Sequence, residues 1–281
     1  MSAPAAPRRT DPSRGAAALG VTLLLGAFAM PLYWMVVASL TEEALLFSEP
    51  SLFPADPTTE HYAALFATRA FVTPILNSLV VAGLTTVLCV GLGSLCAYAV
   101  ARMHFPGKSV VLALVLAVSM FPQVAIISPL YLVLRALGLI DTYAGLVLPY
   151  LTFAMPLTIW LLVGFFRQLP PDIEEAALVD GASRVRVLVD VVAPLSLPGI
   201  ATTAILTFLY SWNEFLFALS FTVGPDHQTV PVAIALLRGR YQIPWGEILA
   251  ASVVASVPVA LLVLFLQRRI VSGLTAGAVK G

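Results

Sequence analysis

Charge is what this 281-residue chain has least of: Asp, Glu, Lys and Arg together make up 11% of it. A soluble domain carries about a quarter charged residues, so water is excluded as the solvent for most of this surface. The fifteen basic and fifteen acidic residues cancel, and no block of one sign offers a footprint for nucleic acid. Cysteine is nearly absent. Cys89 and Cys96 stand in one apolar run, roughly 10 Å apart along a helix axis, beyond disulfide reach. The three histidines, His61, His104 and His227, are scattered, and no Cys/His spacing fits a metal site. There is no Gly-x4-Gly-Lys-Ser/Thr loop to cradle nucleotide phosphates, and no His/Asp cluster or Ser/Lys dyad to serve an enzyme. Neither catalytic, metal nor cofactor residues are therefore assigned to the chain.

What is abundant is apolar: 59% of residues. A hydrocarbon core about 30 Å thick needs roughly 20 apolar residues in a helix, and six runs meet that length, at 16–40, 73–101, 109–134, 143–166, 199–222 and 247–267. The expected fold is an all-α membrane protein of six transmembrane helices. Pro122 and Pro129 interrupt the third run, Pro149 and Pro156 the fourth. A proline frees backbone carbonyls that neighbouring helices must satisfy, so these two helices are expected to face protein rather than lipid.

Orientation follows from Lys and Arg in the short connections. One side collects Arg8, Arg9, Arg14, Arg102, Lys108, Arg167, Arg184, Arg186, Arg268, Arg269 and Lys280; the other has Arg69, Arg135, Arg238 and Arg240. The first loop on the poorer side carries Glu42, Glu43, Glu49, Asp56 and Glu60 instead. Both termini are accordingly expected in the cytoplasm of a multi-pass protein of the bacterial plasma membrane. That divides the chain into an amino tail 1–15, a membrane domain 16–267 with a cytoplasmic loop 167–198, and a carboxyl tail 268–281. A cleaved signal peptide is the alternative for the first run. Its apolar stretch is longer than an ordinary signal's, no A-x-A-like site follows, and Arg8-Arg9 lacks the neighbours of a twin-arginine signal.

The loop from Arg167 to Pro198 is the most informative segment. Pro170-Pro171 stops the preceding helix, Asp172 is placed to cap a new one, and Glu175 fits a capping-box partner. Gly181 can take the left-handed conformation that ends that helix. Ser183 can cap a second short helix, which Pro194 is expected to end. Ile173, Ala176, Ala177 and Asp180 share a face at helical spacing. Two short helices joined by a glycine turn make a knob shaped to dock into a cleft on another protein.

Glu175-Ala-Ala, Gly181 six positions after the glutamate, and Pro194 together resemble the EAA loop of binding-protein-dependent ABC importer permeases. The family pattern is E-A-A-x3-G-x9-I-x-L-P, and this chain has Val191 for the isoleucine and Ala193 for the leucine. Further resemblance lies in Asn77-Ser78, Tyr98-Ala-Val-Ala-Arg102, Phe105-Pro-Gly107 and Trp212-Asn213-Glu214, which look like the carbohydrate branch. The tail, Gly273-Leu-Thr-Ala-Gly-Ala-Val-Lys-Gly281, is similar to that of maltose-type permeases. The resemblance implies a type I importer permease supplying half of a sugar pathway. It implies a second permease subunit, an extracytoplasmic sugar-binding protein docking on loops 41–72 and 223–246, and two cytoplasmic ATPase subunits that bind the ATP and Mg. Glu175, Ala176, Ala177, Asp180 and Gly181 are then the ATPase-coupling residues, with Glu175 meeting an arginine of the ATPase. Gly273, Leu274, Thr275 and Lys280 would reach the ATPase interface; from the residues alone the tail reads as a short flexible end.

Glu214 is the one acidic residue placed well inside a span. An ionisable group at that depth faces a water-filled cavity or a partner. With Asn213, Trp212 and Tyr210 it fits a sugar pathway; a hydrogen bond to a neighbouring helix, or a shallower position, is the alternative. Asn77 is assigned to the same pathway, with a cap or an interhelical hydrogen bond as its alternative. A secondary transporter driven by an ion gradient is the rival function. It would need paired intramembrane charges and usually internal repeats, and a single acidic residue with no obvious repeat argues against it.

Overall fold

The computed structural model describes residues 12–47, 52–54, 56–67, 71–237 and 243–278, with side chains from residue 17 to residue 265. In chain order its helices are α1 (Pro12–Ser39), α2 (Glu60–Ala67), α3 (Val72–Arg102), α4 (Lys108–Met120), α5 (Gln123–Ala136) and α6 (Tyr143–Gln168). There follow α7 (Pro171–Val179), α8 (Arg184–Val187), α9 (Ala193–Leu195), α10 (Leu197–Trp212), α11 (Leu216–Phe221), α12 (Val230–Leu236) and α13 (Trp245–Ala278). No strand occurs among the described residues, as lipid requires of a spanning chain that does not close into a barrel.

Four helices are long and apolar enough to cross a membrane unaided: α1 from Ala17, α3, α6, and α13 as far as Phe265. The other two expected spans are broken. The third run, 109–134, is α4 and α5 meeting at 97°. Pro122 has no N–H to continue α4 and instead starts α5 from an extended conformation. The fifth run, 199–222, is α10 followed by α11, with the helix interrupted between Asn213 and Phe215. Counting α4 with α5 as one span, and residues Arg184–Leu195 with α10 as another, gives up to six.

The prolines of the fourth run behave like Pro129, which α5 passes through, and unlike Pro122. Helix α6 passes through Pro149 and Pro156 without a break and is the most buried span, with 61% of its apolar window inside the protein. That meets the expectation of a protein-facing helix. Helix α4 does not meet it, since none of its residues is buried within this chain.

The centre of the bundle is α3, α6 and α10. Helices α3 and α6 approach closely at Gly93, where a Cβ would lie 2.9 Å from the Thr158 methyl. Small residues permit such approach where lipid supplies no hydrophobic drive between helices. Thr158 also meets Thr207 of α10, hydroxyl to hydroxyl at 2.9 Å. Each of these hydroxyls is also within hydrogen-bond reach of a carbonyl of its own helix, that of Ala154 or Thr203, and one of the two donates across to the other helix. At the α3 and α6 carboxyl ends, Ala97, Val100, Leu162, Phe166, Val187 and Val192 form one apolar cluster. A second joins Leu146, Tyr150 and Phe153 to Phe217 and Phe221, and a third joins Ala82 and Trp212 to Ala250 and Ala251. Helix α1 rests on α13 at the periphery, and only 11% of its apolar window is buried.

The end of the bundle where α3 and α13 begin is tied by polar contacts between loops. The Glu43 carboxylate accepts from the amides of Trp245 and Gly246 at 2.9 and 2.8 Å, a helix start stabilised by an anion. His61 packs so tightly under Gly246 that any side chain there would enter its ring.

Candidate functional site

The knob that follows α6 is built largely by local rules. Pro171 occupies the first turn of α7, where a missing N–H costs nothing. The helix therefore begins two residues earlier than the capping box would place it: Pro170 is the cap, and Asp172 makes no side-chain capping bond. Asp172 and Glu174 instead put negative charge in the first turn, at the positive end of the helix dipole. At the other end Gly181 has φ +85°. Ala182 donates to the Ala177 carbonyl and Gly181 to that of Leu178, each at 3.1 Å, a Schellman stop that only glycine enters without strain. Ser183 caps α8 by accepting from the Arg186 amide.

Beyond Ser183 the knob differs from expectation. Pro194 does not end the second helix. A widened π-helical turn at Leu188–Val192 precedes it, and the rod continues from Arg184 to Leu195 before turning 87° into α10. A helix passing a proline must relieve the clash with the carbonyl four residues back, and a π turn at that point does so.

The two adjacent glutamates of α7 have different surroundings, one buried and one exposed. Glu175 is exposed, with Ile173, Ala176, Val179 and Asp180 around it; Val179 is 87% exposed. Ala177, expected on that outer face, is turned inward onto the apolar cluster with Leu178. Glu174 is buried at 5% exposure. Its Oε1 accepts from Nε of Arg102, the last residue of α3, at 2.7 Å. The same guanidinium donates through Nη2 to the Leu169 carbonyl at the end of α6, at 2.8 Å. Sequence reasoning missed Glu174. The available signal was Arg102 at a span end, with Tyr98 one helical turn earlier on the same face.

The expected pathway residues fall in four places. Tyr210 lines a cavity of about 430 Å³ in the angle between α4 and α5, walled also by Phe121, Gln123, Phe153, Trp160 and Thr207. Gln123 donates to the Tyr210 hydroxyl at 2.6 Å. Phe121 and Trp160 are 62% and 58% exposed. Aromatic faces and an amide thus share one concave surface. Trp212 and Asn213 border a different cavity, of about 330 Å³, against α12 and α13. Trp212 itself is buried and stacked on Phe208, and Asn213 donates to the Leu209 carbonyl.

Glu214 is buried, and its two carboxylate oxygens accept from the Phe217 and Ala218 amides. The carboxyl group caps the start of α11 after the break. Both carboxyl oxygens are thus engaged by backbone amides of α11. Asn77 is likewise engaged by hydrogen bonds. Both its amide protons are used, on the Asp226 and Gln228 carbonyls at 2.8 and 2.9 Å, and its oxygen accepts from Tyr143. The carboxyl tail departs from the flexible end read from its sequence, since the α13 backbone is helical to Ala278. The side chains of Leu274 and Thr275, the surroundings of Gly273, and Lys280 altogether lie outside the described residues.

Comparison with known proteins adds to this geometry. The family described as "Binding-protein-dependent transport system inner membrane component" matches residues 89–275. Over 270 residues the chain is 41% identical to the trehalose/maltose transport system permease protein MalG of Thermococcus litoralis, covering 93% of this chain and 97% of that one. It is 42% identical over 265 residues to the sulfoquinovosyl glycerol transport system permease protein SmoH of Agrobacterium fabrum, covering 94% and 92%. In fold it resembles a chain from the crystal structure of a bacterial ABC transporter that imports alginate. The TM-score there is 0.77 at 20% identity, over 95% of this chain and 99% of that one.

Proposed function

This chain belongs to the binding-protein-dependent transport inner membrane component family, and on that premise we propose that it is one permease subunit of an ATP-driven sugar importer. The observation that carries the reading is the knob. Glu175, Ala176 and Asp180 stand exposed on a helix stopped by Gly181, at the end of the bundle where three transmembrane helices meet. In this reading that end is cytoplasmic, as its arginines imply, and α7 sits in a groove on an ATPase subunit. Two such subunits hold the ATP and Mg. Glu175 pairs with an arginine there.

The solute side follows from the cavity. Sugars are recognised by aromatic faces together with a few polar groups, and Trp160, Phe121, Gln123 and Tyr210 offer both. The cavity opens at the edge of the chain, so a second permease subunit completes the pathway. An extracytoplasmic binding protein delivers sugar to the opposite end, whose loops are held by Glu43 and Asn77. ATP closure draws α7 with the ATPase and turns the bundle outward; hydrolysis resets it. Relatives of nearly equal identity carry different glycosides, which supports a sugar as the class without choosing one. The ion-driven alternative loses its one intramembrane carboxylate, because Glu214 is spent on starting α11.

Uptake into proteoliposomes holding both permeases and the ATPase tests the reading. It should require ATP and the binding protein. Glu175→Arg should abolish it while the subunits remain assembled in the membrane. Unchanged uptake by that variant would remove the docking role.

A further inference from the structure

We propose that Arg102 and Glu174 form the mechanical link between α7 and the membrane bundle, so that a displacement of α7 is delivered along α3. The proposal rests on the importer reading above and concerns how that machine transmits force. Most of what holds the knob is apolar: Ala177, Leu178 and Ala182 lie on the cluster beneath. Apolar contact is non-directional and permits sliding. A guanidinium bonded to a carboxylate fixes direction as well as distance.

Among the described ion pairs, Arg186–Asp190 is exposed within one rod and His227–Asp141 joins two loops. Arg102–Glu174 alone joins a span to the knob. It is 2.7 Å long, with the two side chains 13% and 7% exposed. Separating such a pair leaves a buried charge unpaired, which is strongly unfavourable. Under load the helices therefore move together before the pair parts. Tyr98, 4% exposed and one turn back on α3, lies beside the Glu174 carboxylate and screens it from water.

The far end of the same helix is clamped too. Asn77 holds the carbonyls of Asp226 and Gln228, and Ser78 accepts from the Val230 amide at 2.8 Å. From Asn77 to Arg102 is about 38 Å of unbroken helix. Helix α3 is thus a rod fixed to the knob at one end and to the 222–230 loop at the other. Arg102 and Glu174 are positioning residues: they touch neither solute nor nucleotide, and act through α3.

The test uses the assembled transporter in proteoliposomes. Solute moved per ATP hydrolysed is measured for the unsubstituted chain, Glu174→Gln, Arg102→Lys and the exchange Arg102→Glu with Glu174→Arg. A cysteine replacing the exposed Val223 reports, by its labelling rate with and without ATP, whether the outer loop feels the ATPase. Glu174→Gln should keep hydrolysis while solute per ATP falls at least about fivefold, the lower end of ordinary coupling between sites. Its Val223→Cys labelling should stop responding to ATP. The exchange should recover part of both. Arg102→Lys keeps the charge and loses the fork to Leu169, and should fall between, so it serves if Glu174→Gln fails to assemble. An unchanged ratio and labelling response, or hydrolysis and uptake falling in step, would overturn the link. No ATP-driven uptake by the unsubstituted chain would instead overturn the importer reading.

Discussion

The knob and the α4–α5 angle are both breaks in the helical bundle, yet they are fastened in opposite ways. The knob has a glycine stop, a serine cap, a buried ion pair and an apolar cluster beneath it. Helix α4 has no buried residue, α5 has only Leu134, and the corner between them is crossed to α10 by the Gln123–Tyr210 hydrogen bond. A part that must pass on force gains from being fixed, whereas a part that must open around a solute gains from being loosely held. The difference in fastening therefore matches the difference in proposed roles, docking for one and passage for the other.

Two substitutions would break or sharpen that contrast, the larger first. Gly181→Val forces a β-branched residue into the left-handed region, at about 2 kcal/mol. Hydrogen exchange over 171–187 should rise by up to about 30-fold, and ATP-driven uptake should fall with it. Exchange at wild-type rates would mean that the knob is not held by its turn. Trp160→Ala removes an aromatic face worth about 1 kcal/mol to a stacked ring. The KM for the transported sugar should rise by several fold, near tenfold at most, with exchange in the knob unchanged. An unaltered KM would show that the solute does not pass the α4–α5 angle.

Much of the frame was legible because hydropathy over a long run is a sum that single residues barely alter. The spans at 73–101 and 143–166 correspond to α3 and α6 within a few residues, and Gly181 and Ser183 act as local chemistry requires. The breaks were not legible from that sum. An apolar average does not register that Glu214 can start a new helix inside a span, nor that Pro122 turns the chain through 97° while Pro149 leaves α6 continuous. The functional side chains divided on the same line. Asn77 and Glu174 are explained by partners 149 and 72 positions away, which no local pattern contains. Which of Glu174 and Glu175 faces inward depends on how α7 is seated on the bundle, because successive side chains of a helix point about 100° apart.

The most direct test of the account is a cross-link from the outer face of the knob. Ala176, exposed beside Glu175, is replaced by cysteine in a chain lacking Cys89 and Cys96 and expressed with the ATPase carrying cysteines along its surface groove. The account predicts a specific cross-link to one groove position, with a yield that changes when ATP is added. No cross-link at any groove position, with both proteins assembled in the membrane, would contradict it.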